Sequence, residues 1–322
     1  MTLFNHARRM GTAVIATGAL VAGLAAAVPA AAGTHSPAVR YHFRTLNNSN
    51  DETFNQLLGI NNHGTIAGYF GSGAQGHKNK GYRLVRPYRQ SDYRVENFPG
   101  SAQTQVTGLN DDGITVGFFS HTNKANAASN ANFGFYAVNG RRFHEVNFPA
   151  SHPASPPLDQ LLGVNNNGTA VGFFINASGN SQSYLFNIHT RKFFTIPVPS
   201  GSVSVTATAI NNKGTIVGFF SQSTGPTKSF LVTRTGHFAI FAKAGAGLTL
   251  AFGVNDSGEV VGAYTVGTQT FGFTWKAGHG FRTVSDPHGI GSTLINGVND
   301  AGDLVGFYTG QGGHTNGMLA TP

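Results

Sequence analysis

From residue 43 to the C-terminus the chain is written in short apolar runs of Val, Ile, Leu, Phe and Tyr, broken by Gly, Asn, Asp or Ser. Runs of this kind, bounded by turn formers, read as β-strands. One pattern returns six times: LLGINNHGTIAGYF (57–70), VTGLNDDGITVGFF (106–119), LLGVNNNGTAVGFF (161–174), ATAINNKGTIVGFF (207–220), AFGVNDSGEVVGAY (251–264) and INGVNDAGDLVGFY (295–308). Its turn residues Asn61, Asn110, Asn165, Asn211, Asn255 and Asn299 stand 49, 55, 46, 44 and 44 residues apart. Two apolar runs around Asn-x-x-Gly predict a β-hairpin. The Asn side chain can bond the backbone two residues on, and the Gly accepts the left-handed conformation of a bulged turn.

Two more runs follow each hairpin. The third is GYRLV (81–85), GFYAV (134–138), SYLFN (183–187), SFLVT (229–233), GFTWK (272–276) and GMLAT (317–321). The fourth, after a polar turn, is YRVENFP (93–99), FHEVNFP (143–149), FFTIPVP (193–199), FAIFAKA (238–244) and FRTVSDP (281–287). Four short strands, a to d, in 44–55 residues make a unit the size of one propeller blade. The sixth unit stops after strand c at Thr321 and Pro322, while FRTLNNS (43–49) matches FRTVSDP (281–287). The order is therefore d, five times abcd, then abc. This predicts an all-β chain: a single six-bladed β-propeller over residues 41–322, its ring closed by an N-terminal strand that completes the last blade. Closure also removes exposed strand edges. The alternative, an open β-solenoid, has shorter coils and needs no such end-to-end complement.

Glycine columns run through the repeats. Gly68, Gly117, Gly172, Gly218, Gly262 and Gly306 interrupt strand b; Gly59, Gly108, Gly163, Gly253 and Gly297 interrupt strand a, with Ala209 in the remaining copy. Glycine inside a strand marks a bulge or a close approach. The expectation is room for aromatics of the neighbouring blade, such as Phe230 or Phe273. No Gly-rich loop leads into Lys-Ser/Thr and a helix, so phosphate cradling is disfavoured.

The first 32 residues differ. Arg8 and Arg9 precede an apolar stretch from Met10 to Val28, and Val28-Pro29-Ala30 and Ala30-Ala31-Ala32 offer small residues for cleavage. This predicts a secretory signal peptide at 1–32, a short linker at 33–40 and a secreted or periplasmic protein with no stable membrane insertion after cleavage. An uncleaved anchor is the competing reading. With no Cys, stability outside the cell rests on burial and strand pairing.

The hairpin pattern G-[IV]-N-x-x-G-x-x-V-G, followed by a small residue and an aromatic on strand c, resembles the HAF-type extracellular repeats of bacteria. The resemblance covers residues 43–322 and departs on strand c, where the family's His-Ala-Phe becomes Gly-Tyr, Gly-Phe, Ser-Tyr, Ser-Phe, Gly-Phe and Gly-Met. It implies secretion and a propeller-like repeat, and brings no reaction or catalytic residue with it.

Composition narrows the class. Glycine at 44 of 322 residues and charged residues at only 11% suit a turn-rich β-protein, and 26 Phe and 9 Tyr exclude a disordered tail. The net charge is +8; without Arg8 and Arg9 the basic residues number 19 against 13 acids, or +6. No run of five Lys or Arg occurs, so the sequence predicts no nucleic-acid partner.

Candidate chemistry is sparse. Asn110, Asp111, Asp112 and Gly113 approach a calcium loop, but the third turn position varies through His63, Asn167, Lys213, Ser257 and Ala301. Plain turn chemistry is expected. In a propeller the b–c loops and d–a connections share one face, which collects His77, His121, His152, His288 and His314 without an H-x-H or H-x-x-x-H pair. The expectation is no metal and no cofactor. Asp51, Glu52, Asp159 and Asp286 fall in d–a connections near the central opening, where two carboxyls ~5–9 Å apart would suit a polysaccharide hydrolase or lyase; no spacing selects a pair. No G-x-S-x-G occurs.

The favoured reading is a monomeric secreted binding or adhesion module for an extracellular glycan, acidic polymer or surface protein. The b–c loops at 71–80 and 120–132 are long and polar, whereas those near 266–270 and 310–316 are short. Loops on a rigid scaffold carry function disproportionately. The candidate ligand residues on this face are Lys78, Lys80, His121, Lys124 and Lys228, with Tyr82 or Tyr88 for stacking if exposed.

Overall fold

The computed structural model describes residues 40–74, 76–124, 130–149 and 155–322. The expected signal peptide, most of the linker and His152 lie outside the described residues.

The described residues form an all-β six-bladed propeller of four-stranded antiparallel sheets. Strand β1 (His42–Thr45) comes first. Blade 1 holds β2 (Asn55–Ile60), β3 (Ile66–Phe70), β4 (Lys80–Leu84) and β5 (Tyr93–Val95), and blade 2 holds β6 (Gln103–Leu109), β7 (Ile114–Ser120), β8 (Phe133–Val138) and β9 (Arg142–Val146). Blade 3 is β10 (Asp159–Val164), β11 (Thr169–Ile175), β12 (Ser181–Asn187) and β13 (Lys192–Thr195); blade 4 is β14 (Ser204–Ile210), β15 (Ile216–Ser221), β16 (Lys228–Val232) and β17 (Phe238–Phe241). Blade 5 is β18 (Leu248–Val254), β19 (Val260–Val266), β20 (Gln269–Lys276) and β21 (Gly280–Val284), and blade 6 is β22 (Thr293–Val298), β23 (Leu304–Thr309) and β24 (Thr315–Thr321).

Blade 6 is completed by β1, which pairs antiparallel with β24 from His42 opposite Thr321 to Thr45 opposite Met318. The strand order read from the repeats is thus the strand order in space. The a strands β2, β6, β10, β14, β18 and β22 touch one another around the axis, and each blade packs its faces on its neighbours. Leu57, Tyr82 and Leu84 of blade 1, for example, bury against Val305 and Leu319 of blade 6. Removing a large apolar side chain from water is worth roughly 1.5–3 kcal/mol, so each such seam contributes several kcal/mol of burial.

The glycine columns require one correction. A Cβ on Gly117 or Gly262 would strike the carbonyl oxygen of Gln105 or Leu250 and the ring of Phe135 or Phe273 in the same blade. The strand-b glycines therefore admit the blade's own strand-c aromatic. The neighbouring blade is met by the strand-a column instead. A Cβ on Gly163 would lie 3.0 Å from the Cα of Ala209, and one on Gly108 3.1 Å from the Cα of Gly163. Small residues there let adjacent a strands close on the axis.

Candidate functional site

The loop face, built from b–c loops and d–a connections, is held down by a repeated device. In five of the six connections a backbone N–H donates to a side chain at the start of the next a strand; blade 4 has Val205 at the matching position. Phe98 N bonds Thr104 Oγ1 at 3.0 Å, Lys243 N bonds Thr249 Oγ1 at 3.0 Å, and Asp286 N bonds Thr293 Oγ1 at 3.2 Å. Asn48 N bonds Asn55 Oδ1 at 2.8 Å, and Phe148 N bonds Asp159 Oδ2 at 2.7 Å.

Asp159 therefore fills the place of a threonine. It is 1% exposed and also accepts a hydrogen bond from the Tyr184 hydroxyl. Burial pushes its carboxyl up to about 7, against the lowering effect of those two bonds. Asp51 accepts from Thr53 N and Oγ1 and meets His77 Nδ1 at 2.9 Å. Burial alone would raise Asp51, but the bonds from Thr53 and His77 outweigh it and hold the carboxyl below its ordinary value. Asp286 accepts from His288 N at 2.8 Å and lies 3.0 Å from His288 Nδ1. Glu52 is exposed. Asp51 and Asp286 thus sit in two different connections and Asp159 at the first position of β10, each with separate hydrogen-bond partners.

The binding candidates divide. Lys78 and Lys80 flank Asn79 in the blade 1 loop, and His121 and Lys124 belong to the blade 2 loop. The two loops meet where Asn123 Nδ2 donates to Ala74 O at 3.5 Å. The exposed His121 ring packs edge-on to Phe119, with centroids 5.2 Å apart, and lies 5.8 Å from Phe133. Lys78 and Lys124 are exposed and Lys80 is half-buried. Lys228 starts strand c of blade 4, away from this group. Tyr82 is fully buried and offers no stacking surface. Tyr88 lies at the opposite face, where its hydroxyl donates to Gly64 O at 2.7 Å.

On that opposite face, formed by a–b and c–d turns, the repeated asparagines do more than shape hairpins. Asn61 Oδ1 accepts from His63 N at 3.1 Å and Thr65 N at 2.8 Å, as a turn residue should. Its Nδ2 also donates to Asn110 O in the next blade. Asn110 does the same to Asn165, Asn165 to Asn211, Asn211 to Asn255, Asn255 to Asn299, and Asn299 back to Asn61, at 2.9–3.3 Å. A second ring runs one residue on. The N–H of Asn62 donates to Asp111 Oδ1, and the relay continues through Asn166, Asn212, Asp256 and Asp300 back to Asn62 at 2.8–2.9 Å. Sequence reasoning missed both rings, although the signal was present: every copy has Asn or Asp after the turn Asn.

These two rings and a floor of Ile60, Leu109, Val164, Ile210, Val254 and Val298 line a cavity of about 80 Å³ on the axis. A second cavity, about 40 Å³, lies deeper among bulge residues including Leu58, Thr107 and Phe252. Both are small, holding a few waters at most. Among the described residues no group of three His, Asp or Glu is placed to hold a metal ion, and no helix is long and apolar enough to cross a membrane.

The geometry defines a closed propeller with two differently furnished faces. No protein-family model matches the chain, and the search of curated proteins gives no match. Solved structures do. AofleA from Arthrobotrys oligospora is similar with a TM-score of 0.53 and 10% identity, over 87% of this chain and 86% of that one. A mutant of Aleuria aurantia lectin in complex with alpha-methyl-L-fucoside gives 0.50 and 11%, over 82% and 90%. A Hadza microbial sialidase gives 0.50 and 10%, over 83% and 65%. At such identities these likenesses show the fold.

Proposed function

We propose that the chain is an exported glycan-binding module of the HAF-type repeat class, with its ligand on the loop face over blades 1 and 2. One observation carries the reading: the two longest b–c loops touch through Asn123 and Ala74, which puts Lys78, Lys80 and Lys124 in the same pair of loops as His121, whose exposed ring packs on the half-buried Phe133. Sugars are held by such combinations, an apolar ring against the C–H face and amides, imidazole and ammonium groups for hydroxyls or carboxylates. The likeness to a lectin solved with a fucoside supports a sugar ligand at the level of fold.

A glycan array with turnover assayed in parallel tests this. Replacing His121 by Ala together with Lys78, Lys80 and Lys124 by Ser should weaken the best ligand about tenfold or more while leaving the melt unchanged. Unaltered binding refutes the assignment. Product release from a polysaccharide, abolished by Asp51→Asn or Asp286→Asn, would replace it with the hydrolase or lyase reading.

A further inference from the structure

The arginines are sorted to one face, which they share with only three lysines, Lys192, Lys213 and Lys276. All eleven arginines from residue 40 onward lie toward the c–d turn end, in the second half of a c strand, in a c–d turn, in a d strand, or leading into β1. Two are paired: Arg83 with Glu96, and Arg86 with Asp303 at 3.1 Å. The other nine (11 − 2) are exposed, with no carboxylate within 4.0 Å among the described residues. Every blade contributes: Arg94 in blade 1, Arg141 in blade 2, Arg191 in blade 3, Arg234 in blade 4, Arg282 in blade 5 and Arg44 in the strand that completes blade 6. At the seam between blades 6 and 1, Arg44 and Arg86 lie over the same Tyr88 ring, at 5.7 and 5.9 Å from its centroid. Two guanidinium groups on one ring, with Asp303 bonded to only one, leave uncompensated positive charge there.

The centre of this face has the opposite sign. Asp111, Asp256 and Asp300 ring the axial mouth, where hydrogen bonds from Asn166 and Asn62 outweigh burial and keep Asp111 below its ordinary value. The face is therefore an annulus of guanidinium around an anionic hub. We infer that this annulus is a second binding surface, independent of the loop face, for a linear polyanionic polysaccharide that follows the rim from blade to blade. Guanidinium forks match carboxylate and sulfate oxygens two at a time. A flat anionic membrane would press on the acidic hub as well as the rim. Nor do the turns supply an apolar anchor: among the described residues the large exposed apolar side chains are Val95, Phe194 and Ile240 in d strands, and Val198, Val203, Val266 and Ile290 on the loop face.

The test measures affinity of the full chain for polygalacturonate and dextran sulfate, with neutral dextran, phosphatidylglycerol vesicles and duplex DNA in parallel. Wild type should bind both acidic polysaccharides, ignore dextran and lose affinity steeply with salt, as released counterions require. Changing Arg44, Arg94, Arg141, Arg191, Arg234 and Arg282 together to Gln should weaken binding about tenfold or more at low salt. The same six changed to Lys should bind with intermediate affinity, since the charge remains while the two-point fork is lost. The loop-face variant should bind polygalacturonate like wild type, so the two surfaces fail separately. Unchanged affinity in the Gln variant, equal loss in the Gln and Lys variants, or tighter binding to vesicles or DNA than to either polysaccharide would overturn the inference.

Discussion

Asp159 shows how a single residue changes meaning once its column is known. Read alone, a carboxylate at the end of a d–a connection is a candidate acid. Read across blades, it shares its position with Thr104, Thr249 and Thr293, each holding a backbone N–H. The charge of Asp159 is thus an incidental burden on a structural acceptor, and the pH dependence follows with a definite sign. Its folded pKa of about 7 lies above the ~3.9 of an unfolded Asp. Between those values the folded state keeps a proton that the unfolded state has lost, so stability falls as pH rises from ~4 to ~7 and levels off beyond. For a carboxyl this buried the effect is on the order of a few kcal/mol. Asp159→Asn, which keeps an acceptor for Phe148 N, should flatten that slope and melt at or above wild type at pH 8. Melting curves from pH 4 to 9 decide it; parallel slopes in both proteins would show that Asp159 titrates normally.

At the scale of the element, the a–b hairpin was legible because its chemistry is local. Asn-x-x-Gly forms the same turn in the b–c loop at Asn176 as in the ring at Asn61, so six copies announced six hairpins. What the local pattern did not carry was the amide's other half. Nδ2 of each turn Asn reaches a carbonyl 44–55 residues away, or from Asn299 back to Asn61, and sequence spacing says nothing of which groups adjacent blades bring together. The glycine columns were misassigned for the same reason: a strand-b glycine records a contact across its own sheet, and no pattern distinguishes that from a contact between sheets. Asn176 separates the two roles experimentally. Its Oδ1 accepts from Ser178 N and Asn180 N at 3.0 Å, the same turn geometry, in an exposed b–c loop with no bond from its side chain to a neighbouring blade among the described residues. Asn176→Ala should therefore cost about 1 kcal/mol, whereas Asn211→Ala, which also leaves the buried Asn255 carbonyl without its donor, should cost roughly 2–3. Equal losses in chemical denaturation would mean that the inter-blade ring adds nothing beyond the turn.

For the whole molecule the decisive feature is closure, and it was readable as arithmetic: a surplus d strand at one end and a missing one at the other. How charge is distributed between the faces was far less legible, because arginines scattered from Arg44 to Arg282 become an annulus only when the ring forms. Closure itself is non-covalent. It rests on the β1–β24 ladder, on Leu46 N bonding Gly317 O at 2.9 Å, on Thr45 Oγ1 meeting the Tyr308 hydroxyl at 2.8 Å, and on Leu46 buried against blade 1. Removing residues 34–50 deletes all of these and bares the edge of β24, whose Met318, Leu319 and Ala320 are otherwise buried. An exposed, apolar strand edge recruits another chain. The truncated protein should melt roughly 10 °C or more below wild type, given several kcal/mol lost at ~2–4 °C each, and should form oligomers on size exclusion. A circular permutant that moves residues 40–50 behind Pro322 through a short Gly/Ser linker restores the same strand from the other side. It should regain the monomeric elution and most of the melting temperature, because what the ring needs is the strand in its slot, whichever end supplies it. A truncation that melts and elutes like wild type would leave the propeller closed by its seams and its axial asparagine rings alone, with β1 as an ornament on blade 6.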